Sequence, residues 1–244
     1  MIRRALDADI PNEAFDETLI RIVGLKKAYG CDVPFIQFYT DENHGLLSIM
    51  DGVGLLSVDK LTDEWRIFLL MNTDIHVLHC AGSIGRDLLN DGDWQGRVGV
   101  VMRYDSTDYT DADVTDVCVS PYLPDVYTLL DTYFPNMISF NNWYPDASHR
   151  VRHGCCHIGC VVSGDWVISS AMTVAESDTA AIIGQVATHQ DFRKQGLAGK
   201  CINAVIQQCK GKSLYILPIH ENAARLYHKL GFVPSGEWAE LNKL

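Results

Sequence analysis

Val186-Ala187-Thr188-His189-Gln190-Asp191-Phe192-Arg193-Lys194-Gln195-Gly196-Leu197-Ala198-Gly199-Lys200 is the stretch on which the reading of this chain turns. A short run with β-branched residues leads into a turn bearing Arg193, Lys194, Gln195 and Gly196, and an apolar-periodic segment follows at once. That order predicts a strand, a loop and a helix. Glycine at 196 lets the backbone come close to a ligand and adopt angles that a side chain would forbid. The helix after it presents unpaired N–H groups and the positive end of its dipole. Together these features predict a site for a phosphate or pyrophosphate.

A second pattern lies downstream. Leu214-Tyr215-Ile216-Leu217 reads as a buried strand, and it runs into Glu221-Asn222-Ala223-Ala224-Arg225-Leu226-Tyr227-His228-Lys229-Leu230-Gly231-Phe232. With Arg193-x-x-Gly196-x-Ala198 upstream, the pair resembles the two signatures of the GNAT superfamily of N-acetyltransferases. The first is the acetyl-CoA loop. The second is a strand, an asparagine at a helix start, a tyrosine on that helix and Gly-Phe closing it. The resemblance is clear over 166–232 and extends from about 123 to the C-terminus. It does not cover the first hundred residues.

The resemblance implies an α/β (α+β) fold with a mixed, mostly antiparallel sheet flanked by helices, and acetyl-CoA as co-substrate. It implies that two strands splay apart and that Val186, Ala187 and Thr188 bind the pantetheine arm through their backbone. Arg193, Lys194, Gln195, Gly196, Leu197, Ala198, Gly199 and Lys200 would take the pyrophosphate. Asn222 would either bond the pantetheine amides or cap its helix. Tyr227 matches the tyrosine that gives a proton to the leaving thiolate; otherwise it is a core aromatic. In several relatives a glutamate on the central strand takes the amine's proton. Here that strand offers Gln185, which does not, and Glu176, Asp178, His189 and His220 are the nearby alternatives.

Two function classes therefore stand open. One is an N-acetyltransferase acting on a primary amine, whether a small molecule, a peptide N-terminus or a lysine. The other is a CoA-binding sensor or interaction module without turnover. A generic nucleotide-binding α/β protein is disfavoured, because the chain has neither a Gly-x-x-x-x-Gly-Lys-Ser/Thr loop nor a strand–Gly-x-Gly-x-x-Gly unit.

The rest of the chain bounds these readings. At 244 residues it is long enough for two units, and 47% hydrophobic with 21% charged residues is ordinary for a globular protein. No apolar run reaches the roughly 20 residues that span a bilayer. The N-terminus shows no secretory pattern. A cytoplasmic protein with no membrane partner is expected, and a homodimer is left open. Residues 1–134 carry 10 Lys+Arg against 23 Asp+Glu, while residues 135–244 carry 10 against 8. The half with the anion loop is the neutral-to-basic one. The acidic half argues against nucleic acid as a partner.

Eight cysteines without an export signal read as free thiols. Cys155-Cys156-His157-x-x-Cys160 suggests a metal only superficially. On a strand, Cys156 and Cys160 would stand about 13 Å apart, too far to converge on one ion. No metal is expected.

Along the first half, 15–29 has helical spacing, and 35–39, 46–50, 53–58, 66–71, 75–80 and 98–104 read as strands. This predicts an N-terminal α+β domain over 1–106, a diverged GNAT-like copy as one alternative. An acetyltransferase domain over 107–244 follows. Within it, 124–134 reads as a helix, 155–162, 166–174 and 181–188 as strands, 197–209 as a helix, 214–219 as a strand, 222–230 as a helix and 238–241 as a last strand. Because both motifs lie beyond 107 and the acidic surplus lies before it, a fragment starting there is expected still to bind CoA but to lose substrate selectivity or solubility.

Overall fold

The structure is a computed structural model that describes residues 1–105 and 114–244. The boundary drawn at 106/107 thus falls outside the described residues. In the first half, β1 (Arg3–Arg4) precedes α1 (Glu17–Tyr29), then β2 (Ile36–Thr40), β3 (Leu46–Met50), β4 (Val53–Ser57), α2 (Asp63–Met71), β5 (Val77–Ala81), α3 (Gly82–Asp91) and β6 (Trp94–Asp105). The second half runs α4 (Leu123–Tyr133), α5 (Phe140–Arg152), β7 (Ile158–Ser163), β8 (Trp166–Glu176), β9 (Ala180–Thr188), α6 (Leu197–Gln208), β10 (Ser213–Ile216), α7 (Glu221–Lys229) and β11 (Val233–Lys243).

All the described strands join one sheet in the order β1-β2-β3-β4-β5-β11-β6-β10-β9-β8-β7. The order contains a repeat. In each half a run of antiparallel strands leads to a parallel pair joined through a helix, β4–β5 in the first and β9–β10 in the second. A second helix and a last strand follow in each. These last strands are exchanged. β11 lies antiparallel between β5 and β6, and β6 lies antiparallel between β10 and β11. The first half is therefore a second copy of the same layout, and the two copies share one sheet.

The cores follow the pleat, since alternate residues face opposite sides. On one face α2 and α3 cover Leu47, Leu56, Leu78, Cys80 and Leu241, and α6 and α7 cover Met102, Ile183, Leu214 and Ile216. On the other, α1 buries Ile20, Ile22 and Val23 with Phe38, Leu55, Val101, Ile182, Tyr215 and Trp238. The α1 core thus draws strands from both halves. α1 is started by Asp16, whose carboxylate accepts from Leu19 N at 2.9 Å. α4 and α5 pack beside it on β7 and β8 through Val126, Leu130 and Trp143.

Several sequence expectations are corrected here. Residues 66–71 belong to helix α2, not a strand. Thr62 caps that helix by accepting from Trp65 N, and Asp63 and Glu64 fill its first turn. Of its apolar run only Trp65 and Leu69, four apart, are buried, while Ile67 and Met71 are exposed. Helices α3 and α5 lie in segments to which the sequence reading assigned no element. β10 ends at Ile216 rather than 219, and β11 is far longer than 238–241 because it has a strand on either side. The expectation that a 107–244 fragment still binds CoA does not suit the exchange, since β6 pairs with β10 and β11 and α1 covers Ile182, Tyr215 and Trp238.

Candidate active site

β9 and β10 pair in parallel from Ser213↔Ala180 to Ile216↔Ile183 and no further. After Ile216 the chain leaves the sheet toward α7, while β9 continues to Thr188. The edge of β9 that faces β10 is thereby left open from Gly184 onward. Its other edge stays paired with β8, Ser170↔Ala187 and Ser169↔Thr188, with a register shift between Ser170 and Met172. Gln185 takes the extra place in the bulge, with φ +49°. A cleft of about 1120 Å³ opens here.

The loop below the open edge leads directly into α6. Residues 190–192 form a single 3-10 turn capped by His189. Lys194 and Gly196 both take left-handed backbone angles, φ +64° and +78°. Gly196 is the N-cap of α6 with no side-chain cap, and nothing lies within 4 Å of where its Cβ would stand. The first N–H groups of α6, like those of any helix start, have no partner within the helix. Arg193 braces the loop: its Nε donates to Thr188 O at 3.1 Å, and its guanidinium lies 5.0 Å over Tyr133. Tyr133 in turn accepts from Gln190 N at 2.8 Å, tying α4 to the loop.

Of the residues expected at the site, Val186, Ala187, Thr188, Arg193, Lys194, Gly196, Leu197, Ala198, Gly199, Asn222 and Tyr227 all line this cleft. Gln195 and Lys200 are not among its lining residues. The Lys200 N–H is already bonded to Gly196 O at 3.1 Å inside the helix, which removes it as a backbone donor. Asn222 does not cap α7: the N-cap is His220, and Asn222 is exposed in the first turn. Tyr227 is the one buried residue of α7. Its ring lies 6.2 Å from Phe232, and among the described residues its hydroxyl has no hydrogen-bond partner. Burial pushes this phenol up to about 12, so it stays protonated at any physiological pH.

The groups considered as bases separate by place. Gln185 Oε1 accepts from Trp143 Nε1 at 3.3 Å. Asp178 pairs with Lys27 at 2.6 Å. Only His220 of the four alternatives lines the cleft. Glu176 is buried away from it, bonded to His157 Nδ1 at 2.7 Å, to Thr173 and to Lys212 Nζ at 2.9 Å. Cys209 Sγ completes a compact group with His157 and Glu176, within 4.8 Å of both. Burial pushes the Cys209 thiol up to about 12, and the Lys212 ammonium supplies the cation beside Glu176.

Burial also pushes the Glu176 carboxyl up. The His157 and Thr173 hydrogen bonds and the His157 and Lys212 charges outweigh it and hold the group down at about 2, against an ordinary 4.5. The folded value lies below the unfolded one, so the stabilisation is complete above pH 4.5 and is lost as pH falls through about 2. Its size is about 3 kcal/mol. Urea melts are expected to show Glu176→Gln destabilised by this order at pH 7, with the gap to wild type closing toward pH 2. A constant gap across that range would assign the loss to packing instead.

The equivalent place in the first half is closed. β4 and β5 pair from Val53↔Val77 to Leu56↔Cys80, nearly the whole of β4, so no wedge opens. The following helix α2 starts with Asp63 and Glu64, whose own carboxylates occupy the positive helix end. What the first half does contribute is the far wall of the cleft: Arg21, His79 and Arg97, with Trp238 and Glu240 from the exchanged β11. Sequence reasoning missed these residues. They come from separate segments, and no local pattern marks them.

Residues 129–241 match the family model described as GNAT acetyltransferase, and this stretch is a GNAT acetyltransferase domain. Several solved structures are similar over most of the chain. A GCN5-related N-acetyltransferase from Sphaerobacter thermophilus is 12% identical, with 100% of this chain and 95% of that one covered at a TM-score of 0.58. A tandem GNAT protein from the clavulanic acid biosynthesis pathway is 12% identical over 98% of this chain and 91% of its own, at 0.56. A GCN5-related N-acetyltransferase from Kribbella flavida is 13% identical over 86% of each, at 0.55. These similarities show the fold, including the first half. No curated protein matches the chain in sequence. Family and fold support acetyl transfer in general. No helix among the described residues is long and apolar enough to cross a membrane.

Proposed function

We propose that the chain is an acetyl-CoA-dependent N-acetyltransferase that moves the acetyl group to a primary amine by direct attack on the thioester. The observation that carries this is the open β9 edge standing above a helix start with free N–H groups. The open space at Gly196 and the left-handed angles of the loop fit a pyrophosphate, and the unpaired strand edge fits an extended arm with amides. Bound acetyl-CoA supplies an activated thioester.

The chain's residues would do the rest. The backbone of Val186, Ala187 and Thr188 orients the arm. The N–H groups of Gly196, Leu197, Ala198 and Gly199 hold the phosphates, with Arg193 and Lys194 beside them. Main-chain donors suit this because they are fixed before the ligand arrives. A backbone N–H near Val186 would hold the oxyanion. The Tyr227 hydroxyl, protonated and without another partner among the described residues, would give its proton to the departing sulfur as the C–S bond breaks, and the proton that the attacking nitrogen loses would pass to water, from which the phenolate is reprotonated.

The test is a thermal shift with the full chain. Acetyl-CoA at 100 times its dissociation constant should stabilise by about 2.7 kcal/mol, and Gly196→Asp should remove most of the shift. Aspartate tolerates a left-handed backbone better than most residues, and its Cβ meets nothing within 4 Å. A side chain at φ +78° still strains the backbone, so the shift is read against the ligand-free variant's own midpoint. Calorimetry should give one acetyl-CoA per chain, because the β4–β5 site is closed. Two sites of similar affinity would contradict that reading. No shift at millimolar acetyl-CoA would remove the cofactor assignment.

A second reading, a CoA-binding sensor without turnover, is favoured by one observation: β9, the strand on which the resemblance implies a glutamate base, offers Gln185, whose Oε1 accepts from Trp143 Nε1. An amine panel decides between the two. Acetyl-CoA binding with no amine acetylated at any pH supports the sensor.

A further inference from the structure

The cleft reaches past β9 to a wall that the second half alone could not supply. Glu240 on β11 is the cross-strand neighbour of His79 on β5 and of Arg97 on β6. Cross-strand neighbours point to the same face, here the face covered by α1. Arg97 Nη2 donates to Glu240 Oε1 at 3.2 Å, and its guanidinium lies 5.2 Å over the ring of Trp238. Arg21 reaches the same wall from α1. Its Nε is bonded to the buried carboxylate of Glu17. Among the described residues its two Nη nitrogens have no hydrogen-bond partner, and they belong to a side chain that lines the cleft. Burial and then the Arg21 charge push His79 down to about 4, so it adds no positive charge at neutral pH.

The charges of this wall come in compensated pairs, Arg21 with Glu17 and Arg97 with Glu240. A ligand bearing only an ammonium would meet two guanidiniums and a single accessible carboxylate. A ligand bearing only an anion would compete with Glu240 for Arg97. A ligand with both signs complements the wall as it stands. Its carboxylate meets the free Arg21 fork and the remaining donors of Arg97, a geometry guanidinium favours. Its ammonium meets Glu240.

We propose that Arg21, Arg97 and Glu240 form the acceptor subsite, and that the acceptor is a small amine that also carries a carboxylate, of the α-amino acid class. This rests on the transferase reading and adds the substrate class to it. The exchanged strands then have a functional consequence: one copy binds the cofactor, and the other, through α1 and β6, joins Glu240 of the exchanged β11 in selecting the acceptor.

The test uses the full chain with acetyl-CoA and the proteinogenic amino acids, each as the free acid and as its α-carboxamide, with simple alkylamines alongside. At least one free acid should be acetylated with a kcat/KM about 10- to 100-fold above its carboxamide, the worth of a charge-assisted hydrogen bond. Arg97→Gln should bring that ratio close to one through KM, with the acetyl-CoA thermal shift unchanged. Replacing Arg21 by a neutral residue would leave the buried Glu17 with the Thr18 hydroxyl but without its counter-charge, so Arg21→Lys is the second variant. It keeps the charge beside Glu17, removes the fork, and should also lower the ratio. Carboxamides or alkylamines that serve as well as the acids overturn the subsite while the transferase reading stands. Acetyl-CoA binding with no amine of any kind acetylated overturns both.

Discussion

A fragment of residues 107–244 expressed alone is expected to be unfolded or aggregated, and to recover a cooperative melt and acetyl-CoA binding when residues 1–106 are co-expressed as a separate chain. The reason is the strand exchange. Removing the first half strips β6 from both β10 and β11, and β5 from the other edge of β11. It also uncovers Ile182, Tyr215 and Trp238 where α1 lay. Each ladder hydrogen bond contributes roughly 0.5–1.5 kcal/mol net, and each large apolar side chain exposed costs about 1.5–3 kcal/mol. A whole domain is stable by only roughly 5–15 kcal/mol. The bare edges of β10 and β11 would also template aggregation. Circular dichroism and size-exclusion chromatography of the single and co-expressed fragments check this. A monomeric 107–244 fragment that melts cooperatively and binds acetyl-CoA would contradict it.

Tyr227→Phe is expected to leave acetyl-CoA affinity nearly unchanged and to lower the acetylation rate by about 10- to 1,000-fold, within or just below the usual worth of general acid catalysis. The ring keeps its place against Phe232, and the hydroxyl that is lost has no hydrogen-bond partner among the described residues. Little stability should therefore be lost with it. The effect should fall on kcat, because the sulfur becomes negative only late in the reaction. With the phenol held at about 12, the rate should not decline through Tyr227 ionisation below about pH 11. Pre-steady-state rates for an amine that the wild type turns over measure it. Equal rates where chemistry is limiting would make Tyr227 a packing residue.

The 193–232 region was legible because its signals are local. Arg193, Gly196 and Ala198 specify a loop and a helix start within a few residues, and Tyr227 through Phe232 specify a helix and its end. The resemblance these motifs carried gave the fold class. Elsewhere local signals misled or were absent. Arg66–Met71 reads as an apolar strand until the Thr62 cap and the separate burial of Trp65 and Leu69 make it a helix. α5 carries Pro145 in its interior, a residue that ordinarily argues against a helix. Gln185 sits in a bulge that only the mismatch with β8 creates.

The sequence alone determined the loop and helix start at 193–197, the helix that carries Tyr227, the alternation of strands and helices from β7 onward, and the uneven charge of the two halves. Each of these depends on residues a few positions apart, where propensity, capping and backbone freedom act directly. Only the tertiary structure decided that β6 and β11 change places, that the first-half copy has no open wedge, and that Arg21, His79, Arg97 and Glu240 meet in one cleft. Those facts depend on which strand edges pair across the whole length of the chain. Such pairing is set by the joint burial of many side chains, and no short stretch of sequence contains it.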